Sequence, residues 1–321
     1  MRILLLAFLG FCLSGLSIAG AQEYPTRTIT IIVPYAPGGA DYQIRALQPL
    51  LSQGLGQTIV VENRGGGGAA IGTAAVKRAE PDGYTLLFTG TAAISVVPNL
   101  RETPYRLEDF APVGNISATP LIVAARSDLP YKTLAELIAY AKANPEKVLM
   151  GSAGHGTTTH IVGEALQNEA NVRFTHVPFT GMGAALTAML SGSIDIFIGL
   201  PAPLMPHLTA GKFRALASTG SKRSEFVPDV PTLSEAGYDV VEETRFGLFA
   251  PKGTPARIVD KLNAQLARHV SSKEFSDLMT KSFTSVSYLG PDDLGKAVRN
   301  EDAYWKRLVS TSDILKRIST P

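Results

Sequence analysis

Residues 33–47 read VPYAPGGADYQIRAL. The β-branched run that leads in, residues 28–33, predicts a strand, and the stretch after Asp41 has the composition of a helix. Between them stand Pro34 and Pro37, then Gly38 and Gly39. Prolines stiffen a connection, and glycines leave its backbone bare. A plain strand-to-helix turn requires neither, so this loop reads as a surface against which something small rests.

The same alternation continues outward. Strand-like runs recur at 59–62, 85–88, 121–125, 148–150, 174–177, 194–198 and 214–217, and a further one is expected near 245–250. Amphipathic stretches separate them. Residues 134–143 have Thr133 as N-cap with Glu136 closing a capping box, and 184–192 end in Gly192. Three helical stretches, 256–271, 274–281 and 292–310, follow a joint at 250–255. This order predicts an α/β fold with mainly parallel sheets, whose ligands gather at the carboxyl ends of strands beside helix N-termini.

The chain opens with Arg2, an apolar stretch at 3–18 and the small residues Ala19-Gly20-Ala21. That is the pattern of a secretory signal peptide, residues 1–21, with cleavage after Ala21. Cys12 is the sole cysteine, so the processed chain has no disulfide, thiolate metal site or thiol nucleophile. The formal charge is +2, from 30 basic and 28 acidic residues, and no long basic run occurs. Nothing in this balance points to nucleic acid.

Three loops share one design: Pro34 to Asp41, Thr89 to Thr91, and GSAGHGTTTH from Gly151 to His160. Each follows an expected strand and offers backbone N–H groups beside glycines or hydroxyls. Helix N-termini carry unpaired donors and partial positive charge, so such loops can hold a carboxylate without a basic side chain. Glycine and threonine also build ordinary turns and caps, and that reading stays open for each loop. Around Ser152 the first glycine of a G-x-S-x-G elbow is missing. His155 and His160 stand five apart and no H-E-x-x-H occurs, so they read as a loop residue and a capping or ligand-facing residue rather than metal ligands. Gly65-x-Gly67-x-x-Ala70 fits a dinucleotide fingerprint only formally, and no cofactor is expected. Asp195 lies in an apolar run, where it either caps a neighbour or faces a polar cleft. Tyr35 and Phe179 either stack on a ligand or pack in the core, and Arg245 is isolated near the joint.

Further motifs carry a resemblance: VPYAPGGAD (33–41), GQTIVVENRGGGG (56–68), PDGYTLLF (81–88), SAGHGTTTH (152–160), HVPFTG (176–181), GSIDIFI (192–198), PDVPTLSEAG (228–237) and GLFAPKGTP (247–255). Nearly end to end, the chain resembles the periplasmic solute receptors of tripartite tricarboxylate transporters, the Bug receptors. The resemblance implies a two-lobe, class II periplasmic-binding-protein-like fold with a ligand cleft between the lobes. Lobe 1 is expected at 22–122 and 248–321, lobe 2 at 123–247. It implies capture of a small organic carboxylate (di-, tri- or aromatic), no chemistry on it, and delivery to a permease with two integral membrane subunits. By motif match Tyr35, Pro37, Gly38, Gly39 and Asp41 fall in the carboxylate-holding loop. Ser152, Ala153, Gly156, Thr157, Thr158 and His160 fall in a second gripping segment, and Phe179 and Asp195 on the opposite lobe. Thr89, Thr91 and Arg245 complete the candidate set. Departures are the loop Gly39-Ala40-Asp41, one residue shorter than usual, Gly65 where Pro is common, Thr180 where Lys is common and Arg245 where Trp is common.

The expectation is therefore a monomeric periplasmic receptor with no catalytic residue, cofactor or metal. Its competitor is a secreted hydrolase or carboxylate-processing enzyme using Asp41, His160 and Ser152. Contact of the closed receptor with a sensor protein is compatible with the same residues.

Overall fold

The computed structural model describes residues 24–35, 37, 39–155 and 157–311. The expected signal peptide, Gly38 and Gly156 lie outside the described residues. The strands are β1 (Ile29–Val33), β2 (Ile59–Asn63), β3 (Thr85–Gly90), β4 (Phe110–Pro120), β5 (Ile122–Arg126), β6 (Leu149–Ser152), β7 (Thr175–Pro178), β8 (Ile196–Gly199), β9 (Phe213–Ser218) and β10 (Glu243–Pro251). They form two five-stranded sheets, ordered β2-β1-β3-β10-β4 and β7-β6-β8-β5-β9. The chain enters the second sheet between Pro120 and Ile122, and β10 brings it back to the first. Helices cover both sheets, giving the α/β, two-lobed architecture that the sequence leads one to expect.

Mainly parallel sheets do not result. β1 runs parallel to β2 and β3, and β6 to β7 and β8. β10 runs antiparallel to β3 and β4, and β5 to β8 and β9. The strands that join the lobes therefore run against their neighbours. Alternating strands and helices speak only for consecutive crossover units, and these joining strands are not part of one.

β4 has no counterpart among the expected strands. Its sequence, FAPVGNISATP, lacks an apolar run, yet Asn115, Ser117 and Thr119 are buried. Distant partners bond to each: Asn115 Nδ2 donates to Ser287 O at 2.7 Å, Ser117 Oγ to Gln43 Oε1 at 2.7 Å, and Thr119 Oγ1 accepts from Ser285 N at 3.2 Å. Its prolines are tolerated because β4 is an edge strand.

Each sheet has its own core. Ile29, Ile31, Leu86 and Phe88 pack against the helix Ala256–Val270, which buries Ile258, Val259, Leu262, Leu266 and Val270 on one face. The helix Leu134–Ala143 starts as expected: Glu136 N donates to Thr133 Oγ1 at 3.2 Å, although the Glu136 carboxylate accepts from Lys132 N rather than from the cap itself. The last helix, Pro291–Thr311, inserts Trp305 among Leu121, Leu233 and Val240 of the second core, tying the C-terminal segment to both lobes. Among the described residues, no helix is long and apolar enough to cross a membrane.

Candidate ligand-binding site

The carboxyl ends of β1, β3, β6 and β7 point toward one cavity of about 790 Å³. From the first lobe come Pro34 and Tyr35 after β1, the glycine loop with Gly66 and Gly68, and two short helices, Ala92–Ser95 and Val97–Leu100. From the second come Ala153, Gly154, His155, Thr157 and Thr158 after β6, and Thr180 after β7. The walls are small or apolar over much of their area, with Ala92, Ala93, Val96, Val97, Leu100 and Ile161. Arg101 stands at the end of the second short helix and also lines the cavity.

Of the expected site residues, Tyr35, Ala153, Thr157 and Thr158 line this cavity. Tyr35 is pinned there: its hydroxyl lies 3.0 Å from Thr89 Oγ1 and accepts from Gly90 N at 3.2 Å, and burial pushes its pKa up. Thr89 thus acts through Tyr35. Thr91 is buried behind the cavity wall, its N–H donating to Arg245 O at 2.8 Å. Pro37 is exposed, and Gly39 opens the helix Gly39–Leu55. Asp41, in the first turn of that helix, is buried and accepts from Arg45 Nε at 2.7 Å.

The second segment is bonded within itself. Ala153 N donates to Thr159 Oγ1 at 2.9 Å, and Thr157 Oγ1 donates to Gly154 O at 2.7 Å. Ser152 Oγ sits 2.6 Å from Nε2 of His176. The rings of His176 and buried His160 lie face to face at 3.6 Å, and His155 meets both edge-on. Burial first, then the neighbouring His160 and His155, pushes the His176 pKa down to about 4, so it is neutral at neutral pH. Phe179 packs, half-buried, against a separate cluster that includes Ala185, Met189, Ile194 and Phe197, and its neighbour Thr180 reaches the cavity instead. Asp195 is placed just ahead of β8, at the opposite end of the sheet from the cavity. There it accepts from Leu149 N at 2.9 Å and Arg126 Nη2 at 3.4 Å.

Arg245 lines a different cavity of about 290 Å³, with Glu242, Glu243, Glu301 and Trp305. Its Nη2 donates to Glu243 Oε2 at 2.9 Å. Burial, and then the facing Glu301, raises the pKa of Glu242 well above that of an ordinary glutamate. Burial raises that of Glu301 too, opposed in part by the nearby Thr91 and Ser95 hydroxyls.

The sequence reading missed Arg101 and the glycine loop beneath it. Arg101 Nη2 donates to Gly67 O at 2.7 Å. Gly68 has φ +59°, and a Cβ there would lie 2.4 Å from Arg101 Nη2. The glycine run therefore serves a close approach as well as a turn. A lone arginine directly after the apolar stretch Ala92 to Leu100 was the available signal.

Two of the residues offered for hydrolysis are held by other side chains. Asp41 pairs with Arg45, and Ser152 bonds His176 rather than His160. Residues 43–314 match the tripartite tricarboxylate transporter family receptor. The chain belongs to this receptor family. It is 33% identical to protein BugT of Bordetella pertussis over 316 residues, 95% of this chain and 96% of that protein. It is similar to the solved Rpa4515 of R. palustris with adipate (30% identity, TM-score 0.79, 90% of this chain and 98% of that one). It is also similar to MatC of Rhodopseudomonas palustris with bound malate (32% identity, TM-score 0.75, 89% and 100%). The receptor is a solute-binding component of transport and not an enzyme.

Proposed function

We propose that this receptor captures a small aliphatic dicarboxylate in the periplasm and hands it to a permease with two integral membrane subunits. The supporting observation is the cavity between the lobes, where loop backbone from both lobes and Thr157, Thr158 and Thr180 from the second surround Arg101. One carboxylate rests on the backbone and hydroxyls of the loops 35–41 and 152–160, where charge is met by oriented dipoles. The other pairs with Arg101. The relatives with adipate and malate bind diacids of this kind. Export follows cleavage after Ala21, so the processed chain begins at Gln22. The lobes, divided near residues 122 and 248, close on the ligand because it binds the closed form more tightly.

Thermal-shift measurements on the processed protein against mono-, di-, tri- and aromatic carboxylates test this reading. The expected result is stabilisation by diacids that rises with concentration and consumes no ligand. Stabilisation by aromatic monoacids alone would replace the ligand class, and the absence of any shift would remove the carboxylate reading.

A further inference from the structure

Three histidines meet beside the cavity, and one of them, His155, lines it. His155 comes from the loop after β6, His160 from the helix Thr158–Ala170, and His176 from β7. Each presents a ring nitrogen, and these atoms lie within 4.8 Å of one another. The spacing of His155 and His160 gives no ligand motif, so the sequence reading set them aside. The third imidazole arrives only through the parallel pairing of β6 with β7.

We propose that His155, His160 and His176 bind one divalent transition-metal ion of the zinc or copper class. Imidazole nitrogens suit zinc, copper and nickel, whereas magnesium and calcium require a set of oxygens. Oxygens stand near two of the rings, the one beside His176 within hydrogen-bond distance. Ser152 Oγ is 2.6 Å from His176 Nε2, and Glu164 Oε1 is 3.8 Å from His160 Nε2. Such partners orient ligating rings and raise their basicity.

The rings require adjustment to receive the ion. His160 and His176 are within 6° of parallel, so their in-plane lone pairs run side by side instead of converging. In a tetrahedral site with metal–nitrogen bonds of about 2.1 Å, ligand nitrogens stand about 3.4 Å apart. Binding therefore tilts half-buried His176 out of the stack and draws exposed His155 inward, while buried His160 stays in place. Because His155 and Thr157 face the main cavity, the remaining coordination position opens toward it. An oxygen of a bound solute is the natural fourth ligand. The ion itself does not depend on the identity of that solute.

The test uses the processed protein without a histidine tag and the metal alone. Equilibrium dialysis with Zn²⁺ is expected to give one ion per chain, and Co²⁺ is expected to give the visible bands of a low-coordinate nitrogen site. His155→Ala, at an exposed position, should weaken binding at least about tenfold. Ser152→Ala should weaken it about tenfold through the lost partner of His176. Melting curves without metal establish that both variants fold. Absence of stoichiometric uptake overturns the proposal, as does His155→Ala protein that binds Zn²⁺ as tightly as the unaltered chain.

Discussion

The two cavities are built from opposite materials. The larger is walled by glycine, alanine, valine and threonine, with Arg101 held at its edge by backbone carbonyls. The smaller is walled by Glu242, Glu243 and Glu301 around Arg245, closed by Trp305 and Tyr304. In the larger space Arg101 has, among the described residues, backbone carbonyls for partners, so a mobile anion can complete it. In the smaller space Arg245 already has Glu243, and burial favours the protonated form of the other two carboxyls. A space whose arginine already has a carboxylate of its own is a joint. A space that leaves a charge for an outside partner is a binding site.

If that distinction holds, damage to the joint should lower stability and damage to the binding site should lower affinity. Trp305→Ala has the largest expected effect. The ring is 2% exposed in the second core, and removing a buried aromatic of this size costs about 3–5 kcal/mol. Urea unfolding measures the loss. Affinity per folded molecule is expected to hold, and a change in affinity exceeding the change in stability would defeat the distinction.

Arg101→Ala should do the reverse. It is exposed, so stability should move by no more than about 0.5 kcal/mol. Binding of a dicarboxylate should weaken by about 1.5–3 kcal/mol, the range for a hydrogen bond to a charged group, while a monocarboxylate analogue changes little. Calorimetric titration of both ligands gives the ratio. Arg245→Ala is the matched control, expected to leave that ratio unchanged. A ratio that responds to Arg245 and not Arg101 would exchange the roles of the two arginines.

Gly68→Ala falls between the classes. A side chain at φ +59° costs about 1–2 kcal/mol, and the new Cβ pushes against Arg101 Nη2. Stability and dicarboxylate affinity should therefore fall together, as read by urea midpoints and titration on one preparation. Loss of stability with unaltered affinity would separate the glycine loop from the arginine.

The elements of both lobes were legible because their cause is local. Apolar runs and caps such as Thr133–Glu136 read directly as strands and helices, and the loops that follow β1 and β6 stood out by proline, glycine and threonine. What stayed hidden depends on contacts between distant residues. β4 is a strand because β10 pairs with it and because Ser287 and Gln43 bond to its buried Asn115 and Ser117. Arg101 matters because Gly67 and Gly68 lie under it. Arg245 occupies one of the strands that join the lobes, and nothing in EETRFGLFAP says which cavity that strand faces.

The smallest expected effect is on the pH dependence of stability, where the two regions pull in opposite directions. His176 has its pKa lowered from 6.5 to about 4, so above pH 6.5 both the folded and unfolded chains hold it neutral. As pH falls, the unfolded chain takes up a proton first, and stability declines between about 6.5 and 4. Glu242 and Glu301 are raised above their usual 4.5, so below that value both states are protonated and their contribution is complete. As pH rises, the unfolded chain ionises first, and stability declines through the folded pKa values. Above pH 4.5, where the two ranges overlap, the slopes oppose each other. Glu301→Gln removes one member of the acidic pair and relieves the other of a neighbouring charge. The alkaline decline should become shallower in that variant while the decline on the acid side, which belongs to His176, is unchanged. Urea midpoints from pH 4 to 9 measure both limbs. An alkaline limb as steep in Glu301→Gln as in the unaltered chain would mean that the joint does not hold its proton, and that its charges are matched by Arg245 alone.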